Sequence, residues 1–217
     1  MLKLLSNTRI IMGYLFLDIE SFVDPEDERS GLNPFHKESK VLAISYNYYA
    51  THNYPLPQQI KKPTFLFEWI EGSEKRLLGK FFAELKSIFE KDKMLKVVGF
   101  NHLAYDLAYL FARMSHHKIA PDKEIFDALF SLPRHIDLAQ LGMAVSEKTK
   151  KDQDFRCISQ KVINSYFDIP IKEDSGKDVS KYYLNKRFDK IQKYCEEEFT
   201  FEMLYASILE YFLRTNN

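Results

Sequence analysis

The spacing of apolar positions changes along the chain, and the change predicts the order of elements. Met12 to Ile19 is rich in β-formers and almost wholly apolar, the pattern of a strand covered on both faces. Ser21 to Lys40 is polar and carries Pro25, Gly31, Asn33 and Pro34, which predicts a long excursion. Val41 to Ala50 alternates loosely, and Thr64 to Ile70 follows a loop holding Pro55, Pro57 and Pro63; both are predicted strands that pair with their neighbour. Gly72-Ser73 then opens a helix, with Ser73 as N-cap and Glu74 in the first turn. Leu77, Leu78, Phe81, Phe82, Leu85, Ile88 and Phe89 recur at helical spacing, so one stripe faces a core. Leu95 to Phe100 is a short β-branched strand, and Leu103 to Met114 a helix with Leu103, Leu107, Leu110 and Phe111 on its apolar side. Glu124 to Leu132 reads as strand-like up to Pro133, Ser146 to Asp154 as a charged loop, and Phe155 to Phe167 as a helix. Phe188 to Leu213 reads as a second late helix, about 39 Å long if unbroken. Three strands, then alternating helix and strand, then helices, predict an α/β fold with a mixed central sheet flanked by helices. One domain over residues 1–217 is expected, with loops at 21–40 and 146–154.

Composition narrows the field. The chain has 217 residues with 31 basic and 31 acidic side chains, so no global charge draws it to polyanions or membranes. A hydrophobic share of 45% beside 29% charged residues argues against disorder. Cys157 and Cys195 make no disulfide framework, which favours a reducing compartment and a cytoplasmic expectation. The apolar run Ile10 to Leu17 contains Gly13 and ends at Asp18, short of the roughly 20 residues a membrane span needs. No Gly-x-Ser-x-Gly and no Gly-x-x-x-x-Gly-Lys occurs, which removes two routes of nucleophilic and phosphate-loop chemistry.

The remaining chemistry lies in acids. Asp18-Ile19-Glu20 closes the first strand, and at period two both carboxylates project from one face. Two adjacent like charges are costly unless a cation stands between them, so the pair is a metal-site candidate. Asn101 to Asp106 follows the fourth strand and enters a helix. Asn101 as N-cap and Asp106 as a first-turn acid would satisfy ordinary helix chemistry. Sites in α/β sheets nevertheless gather beyond strand ends, and this is one. Tyr194 and Glu198 are i and i+4 on the last helix and share a face.

In order and spacing these segments resemble the DEDD (DnaQ-like) superfamily of 3′–5′ exonucleases, in its tyrosine-containing branch, and are similar to the exonuclease domain of B-family DNA polymerases. Leu17-Asp18-Ile19-Glu20-Ser21 matches the first motif, Asn101 through Asp106 the second, and Tyr194 through Glu198 the third, with glutamate where the family has aspartate. His135-Ile-Asp137-Leu and the Ile158 to Tyr183 stretch look like the connecting region. The resemblance implies a ribonuclease H-like fold and hydrolysis of the 3′-terminal phosphodiester of single-stranded DNA with two divalent cations, Mg²⁺ or Mn²⁺. It implies Asp18, Glu20, Asp106 and Glu198 as metal ligands, and Tyr194 as the group that orients the attacking water. Ser21, Phe22, Asn101 and Tyr105 would lie near the substrate, with Phe22 and Tyr105 as rings on which a base could stack. RNA is the alternative polymer. A catalytically impaired nucleic-acid-binding subunit is the alternative class, and a replication or repair protein is the kind of partner implied. Lys148, Lys150, Lys151, Arg156 and Lys161 form a modest basic stretch that reads first as a solvated face. The histidines, His102 and His135 among them, show no ligand spacing.

Overall fold

The computed structural model describes residues 13–24, 33–50, 60–145, 158–172 and 174–215. Its five-stranded sheet has the order β3-β2-β1-β4-β5, with β1 (Tyr14–Phe22) in the middle. β2 (Lys40–Tyr49) and β3 (Thr64–Phe67) run antiparallel on one side; β4 (Lys96–Gly99) and β5 (Arg134–Asp137) run parallel to β1 on the other. The sheet is therefore mixed, as expected. A register shift between Glu20 and Ser21 marks a bulge near the end of β1, the kind of irregularity that re-aims side chains beside sites.

Alternation along β1 divides the core. Leu15, Leu17 and Ile19 are buried against α2 (Glu74–Lys91) and α3 (Asp106–His116). Tyr14 and Phe16 face the opposite layer with α5 (Leu138–Val145), α6 (Gln160–Tyr166) and α9 (Phe201–Thr215). Phe22, Leu42, Ala43 and Phe67 meet α7 (Gly176–Leu184) and α8 (Phe188–Glu198). Each large apolar side chain so buried contributes about 1.5–3 kcal/mol. Asp18 and Glu20 thus continue the face that begins with Tyr14 and Phe16, and they sit between two apolar clusters of the same layer.

The predicted helix after Ser73 is α2, and the Ser73 hydroxyl accepts from Arg76 N as an N-cap should. Elsewhere the boundaries move for physical reasons. The third strand stops at Phe67, because Glu68–Glu71 forms the short helix α1, closed by Gly72 at φ 83°. That left-handed turn suits glycine. The predicted helix at Leu103 begins at Asp106; Asn101 is not its N-cap, and Leu103 is 36% exposed. Asn101 instead adopts φ 56° and starts a tight turn in which its carbonyl accepts from Ala104 and Tyr105.

Glu124 to Leu132 is not a strand. It forms α4 (Asp122–Phe126) and one π-helical turn, Asp127–Ser131. Ile125, Leu129, Phe126 and Phe130 sit at i and i+4, a helical spacing that outweighs β propensity. The late helix expected over Phe188 to Leu213 is broken at Phe199-Thr200 into α8 and α9. Gln160 Nε2 donates to the Glu198 carbonyl at the break, 3.1 Å away. Within the stretch read as Phe155 to Phe167, the described helix is α6. Met12, the loop at 146–154, Cys157 and the basic residues Lys148, Lys150, Lys151 and Arg156 lie outside the described residues, as does the part of the excursion at 25–32. No helix among the described residues is long and apolar enough to cross a membrane.

Candidate active site

The carboxylates of β1 and α8 meet although their outermost members, Asp18 and Glu198, are 180 positions apart in sequence. One oxygen from each of Asp18, Glu20 and Glu198 lies within 4.8 Å of the other two. Glu20 is only 8% exposed, and Asp18 and Glu198 are half-buried. Asp18 Oδ2 and Glu198 Oε2 are buried with no hydrogen-bond partner. Burial pushes both the Asp18 and Glu20 carboxyls well above the ordinary carboxylate range, and Glu198 adds repulsion to each. Leaving charged oxygens buried and unpartnered is costly. Three convergent hard-oxygen donors with unused lone pairs fit a divalent cation, which would satisfy them together.

Asp106 is not a member of that three-carboxylate group, but its charge acts on Asp18. It opens α3, is 4% exposed, and its Oδ1 accepts from Ile19 N at 3.1 Å. That bond ties the start of α3 to the centre of β1. Burial raises the Asp106 carboxyl to about 7, against the Ile19 bond that lowers it. The turn before it is fixed by Asp137 at the end of β5, whose Oδ1 accepts from Asn101 N at 2.9 Å and Ala139 N at 3.0 Å. His102 is fully buried, with Nδ1 3.6 Å from Asp137 Oδ2 and Nε2 3.3 Å from His135 Nδ1. Burial lowers its pKa to about 4, so it is neutral and structural here.

Tyr194 is 2% exposed, one turn before Glu198 on α8. Burial and then Glu20 and Glu198 push its phenol far above the ordinary value of 10. Its hydroxyl is bonded by Lys172 Nζ, which also pairs with Glu198 Oε1 and lies 4.1 Å from the Tyr194 ring centroid. Sequence reading did not single out Lys172. It belongs to no motif, and only the excess of acids around it called for a positive charge.

The residues expected near substrate fall into two groups. Ser21 and Tyr105 hydrogen-bond each other through their hydroxyls at 2.5 Å, and Asn101 is exposed on its turn. Phe22, by contrast, is 7% exposed and packs against Tyr183 at 5.8 Å, so in this structure its ring belongs to the core and offers no open face. Of the residues named from the sequence, then, the structure brings Asp18, Glu20, Tyr194 and Glu198 together, places Asp106, Ser21 and Tyr105 alongside, and withdraws Phe22.

By sequence, no family model and no curated protein matches the chain. By structure, a family B DNA polymerase from the hyperthermophilic archaeon Pyrobaculum calidifontis is similar, with a TM-score of 0.59 and 14% identity over 91% of this chain and 24% of the polymerase. The zinc-bound form of E. coli exonuclease I with single-stranded DNA gives 0.45 and 13%, over 76% of this chain and 36% of that one. Exonuclease I from Methylocaldum szegediense gives 0.47 and 11%, over 76% and 37%. The chain thus spans about a quarter of the polymerase's length and little more than a third of the exonucleases'. The polymerase likeness is one of fold, and the other two are too distant to argue from. The fold is the α/β, ribonuclease H-like arrangement, a mixed five-stranded sheet with flanking helices.

Proposed function

We propose that the protein is a metal-dependent 3′–5′ exonuclease acting on single-stranded DNA. The observation that carries this reading is the meeting of Asp18, Glu20 and Glu198 beyond the middle of β1, with buried oxygens left unpartnered. Asp18, Glu20 and Glu198 would hold divalent cations, Mg²⁺ or Mn²⁺, with Asp106 at their side. Bound there, such an ion supplies an activated water at neutral pH and stabilises charge on the leaving 3′ oxygen.

The chain's own groups do the rest. Tyr194 keeps its proton, because burial and nearby carboxylates disfavour the phenolate. It therefore acts by orienting a water through its hydroxyl and not by taking a proton from it. Asp106 fixes α3 against β1, and through it the Asn101 turn and Tyr105 that border the site. The Ser21–Tyr105 pair offers two hydroxyls to a terminal nucleotide. The direction of cleavage rests on the motif order, and the polymer on the motif resemblance together with the fold shared with a DNA polymerase.

The test is digestion of 5′-labelled single-stranded DNA and RNA by wild type and Asp18→Ala, in Mg²⁺ or Mn²⁺, with products resolved by length. A one-nucleotide ladder shortened from the 3′ end of DNA, lost in Asp18→Ala, is the expected result. A ladder on RNA alone would reassign the polymer. Equal residual cleavage by both proteins would overturn the enzyme reading in favour of a binding subunit.

A further inference from the structure

We propose that Asp137 is a positioning residue of the site. By accepting from the Asn101 amide, it holds the turn that presents Asn101 and Tyr105 to a single strand. The inference rests on the nuclease reading above and adds to it a residue outside the carboxylate group.

The path from β4 into α3 is tightly built, and each support can be named. A Cβ placed on Gly99 would stand 2.9 Å from the Leu17 carbonyl oxygen and 2.8 Å from His102 Cβ, so the chain is pressed onto β1 one residue before Asp18. Asn101 then turns through φ 56°, a left-handed conformation that asparagine tolerates better than most residues. Its carbonyl closes the turn by accepting from Ala104 N and Tyr105 N, both at 3.2 Å. The Asn101 amide finds its own acceptor outside the turn, in Asp137 Oδ1, 36 residues on and 2.9 Å away.

Asp137 can reach it because β5 pairs with β4 and sets Asp137 opposite Gly99. The same Oδ1 accepts from Ala139 N at 3.0 Å, the bond of an ordinary cap on α5. Capping α5 calls for that bond alone. The bond to Asn101 does nothing for α5 and ties the turn to the sheet. Asp137 Oδ2 lies 3.6 Å from Nδ1 of His102, which is buried and neutral. Asp137 therefore serves as an acceptor and not as half of an ion pair. This gives the His135-Ile-Asp137-Leu segment a part in the site that its sequence alone does not name.

The two ends of the turn are held differently, and this decides the effect. Asp106 is bonded to Ile19 N at 3.1 Å and the Tyr105 hydroxyl to Ser21 Oγ at 2.5 Å, both on β1. The Asn101 amide has Asp137. Losing that bond frees the Asn101 end while Asp106 stays pinned, so the strand is held less well and the chemistry changes less. A displacement near 1 Å at a positioning group can cost about 10²-fold.

Asp137→Ser and Asp137→Asn separate this role from capping. Serine caps a helix, but its hydroxyl stands one bond nearer the backbone, too short for Asn101; asparagine keeps an oxygen in place for both amides. Hydrogen exchange of the metal-free proteins is followed by mass spectrometry in peptides spanning 99–106 and 138–145, and kcat and KM are measured on 5′-labelled oligo-dT in Mg²⁺. In Asp137→Ser, exchange should quicken at least about 10-fold over 99–106 alone, and kcat/KM should fall at least about 10-fold, most of it in KM. Asp137→Asn should match wild type in every quantity. Wild-type exchange over 99–106 in Asp137→Ser, or unchanged kcat/KM there, overturns the role of Asp137 and leaves the nuclease reading standing. So does a loss in Asp137→Asn equal to that in Asp137→Ser. Where Asp137→Ser fails to fold, Asp137→Asn decides: wild-type behaviour supports the acceptor role, and loss overturns it. Wild type that leaves both oligo-dT and RNA intact overturns the nuclease reading instead, and exchange alone then decides whether Asp137 holds the turn.

Discussion

Two buried acid centres lie in this molecule, and they are built on opposite terms. Glu74, in the first turn of α2, is 7% exposed and has every oxygen engaged. Oε1 accepts from Val41 N and Arg113 Nε at 2.8 Å; Oε2 accepts from Arg113 Nη2 at 2.7 Å and lies 2.6 Å from His117 Nε2. Burial alone would raise its pKa, but the Arg113 and His117 bonds outweigh burial and the net direction is down. Asp18 and Glu20 are buried among other acids, carry orphaned oxygens in their group, and go up. Burial of a carboxylate is common to both, so it does not mark a site. What differs is whether the fold supplies the counter-charge or leaves most of it to come from outside. The first centre locks β2, α2 and α3 together, and the second leaves buried acid oxygens without a partner.

The largest expected effect separates the two centres by activity. Asp18→Ala should lower the rate of DNA cleavage by at least about 10³-fold, some 4 kcal/mol of transition-state stabilisation. Its midpoint in urea should hold or rise, because repulsion with Glu20 and Glu198 is relieved. Glu74→Ala should do the reverse. Leaving the Arg113 guanidinium buried without its partner costs about 3–5 kcal/mol in urea unfolding, while cleavage per folded molecule stays within about twofold of wild type. A loss of activity in Glu74→Ala that exceeds its unfolded fraction would break the comparison.

A smaller effect concerns pH. In chelator-treated protein, Asp106 has its folded value raised from 3.8 to about 7, so the folded state holds that proton more tightly than the unfolded chain does. The stability it contributes is whole below about pH 4 and is lost as pH rises through about 7, by up to about 4 kcal/mol; saturating Mg²⁺ should remove that decline. Glu74 has the opposite sign. Its contribution is present above its ordinary 4.5 and is lost as pH falls through its lowered folded value. Urea midpoints from pH 3 to 8, with and without Mg²⁺, separate the two slopes. The smallest effect is expected of Glu198→Asp, which should keep cleavage in Mg²⁺ within about tenfold of wild type, or raise it. Complete loss would make the longer side chain a requirement of this site.

The sheet was legible because its strands are long, apolar and bounded by turn residues. β1 and β2 fall within three residues of their expected limits. The edge strand β5 was not predicted, since Arg134, His135 and Asp137 leave only Ile136 as an apolar member of a four-residue strand. The π-helical turn at Asp127–Ser131 reads as strand by composition, although its i, i+4 spacing is helical. At the site, the acids were legible by motif and the strand face by periodicity. Lys172 and Asp137 were not, because both act through contacts that tertiary packing alone brings about. Phe22 fits its motif position, yet its neighbours on α7 and α8 were beyond what local sequence can show.

The interruption at Phe199-Thr200 makes Glu198 the final residue of α8. Peptide carbonyls at such a terminus carry about half an electron of negative charge between them. An acid is a poor companion for that terminus, and the main chain therefore adds its own pull on any positive species to that of the side chains. Rejoining α8 to α9 would carry that terminus away from Glu198, and the attraction for an ion should weaken even with every carboxylate in place.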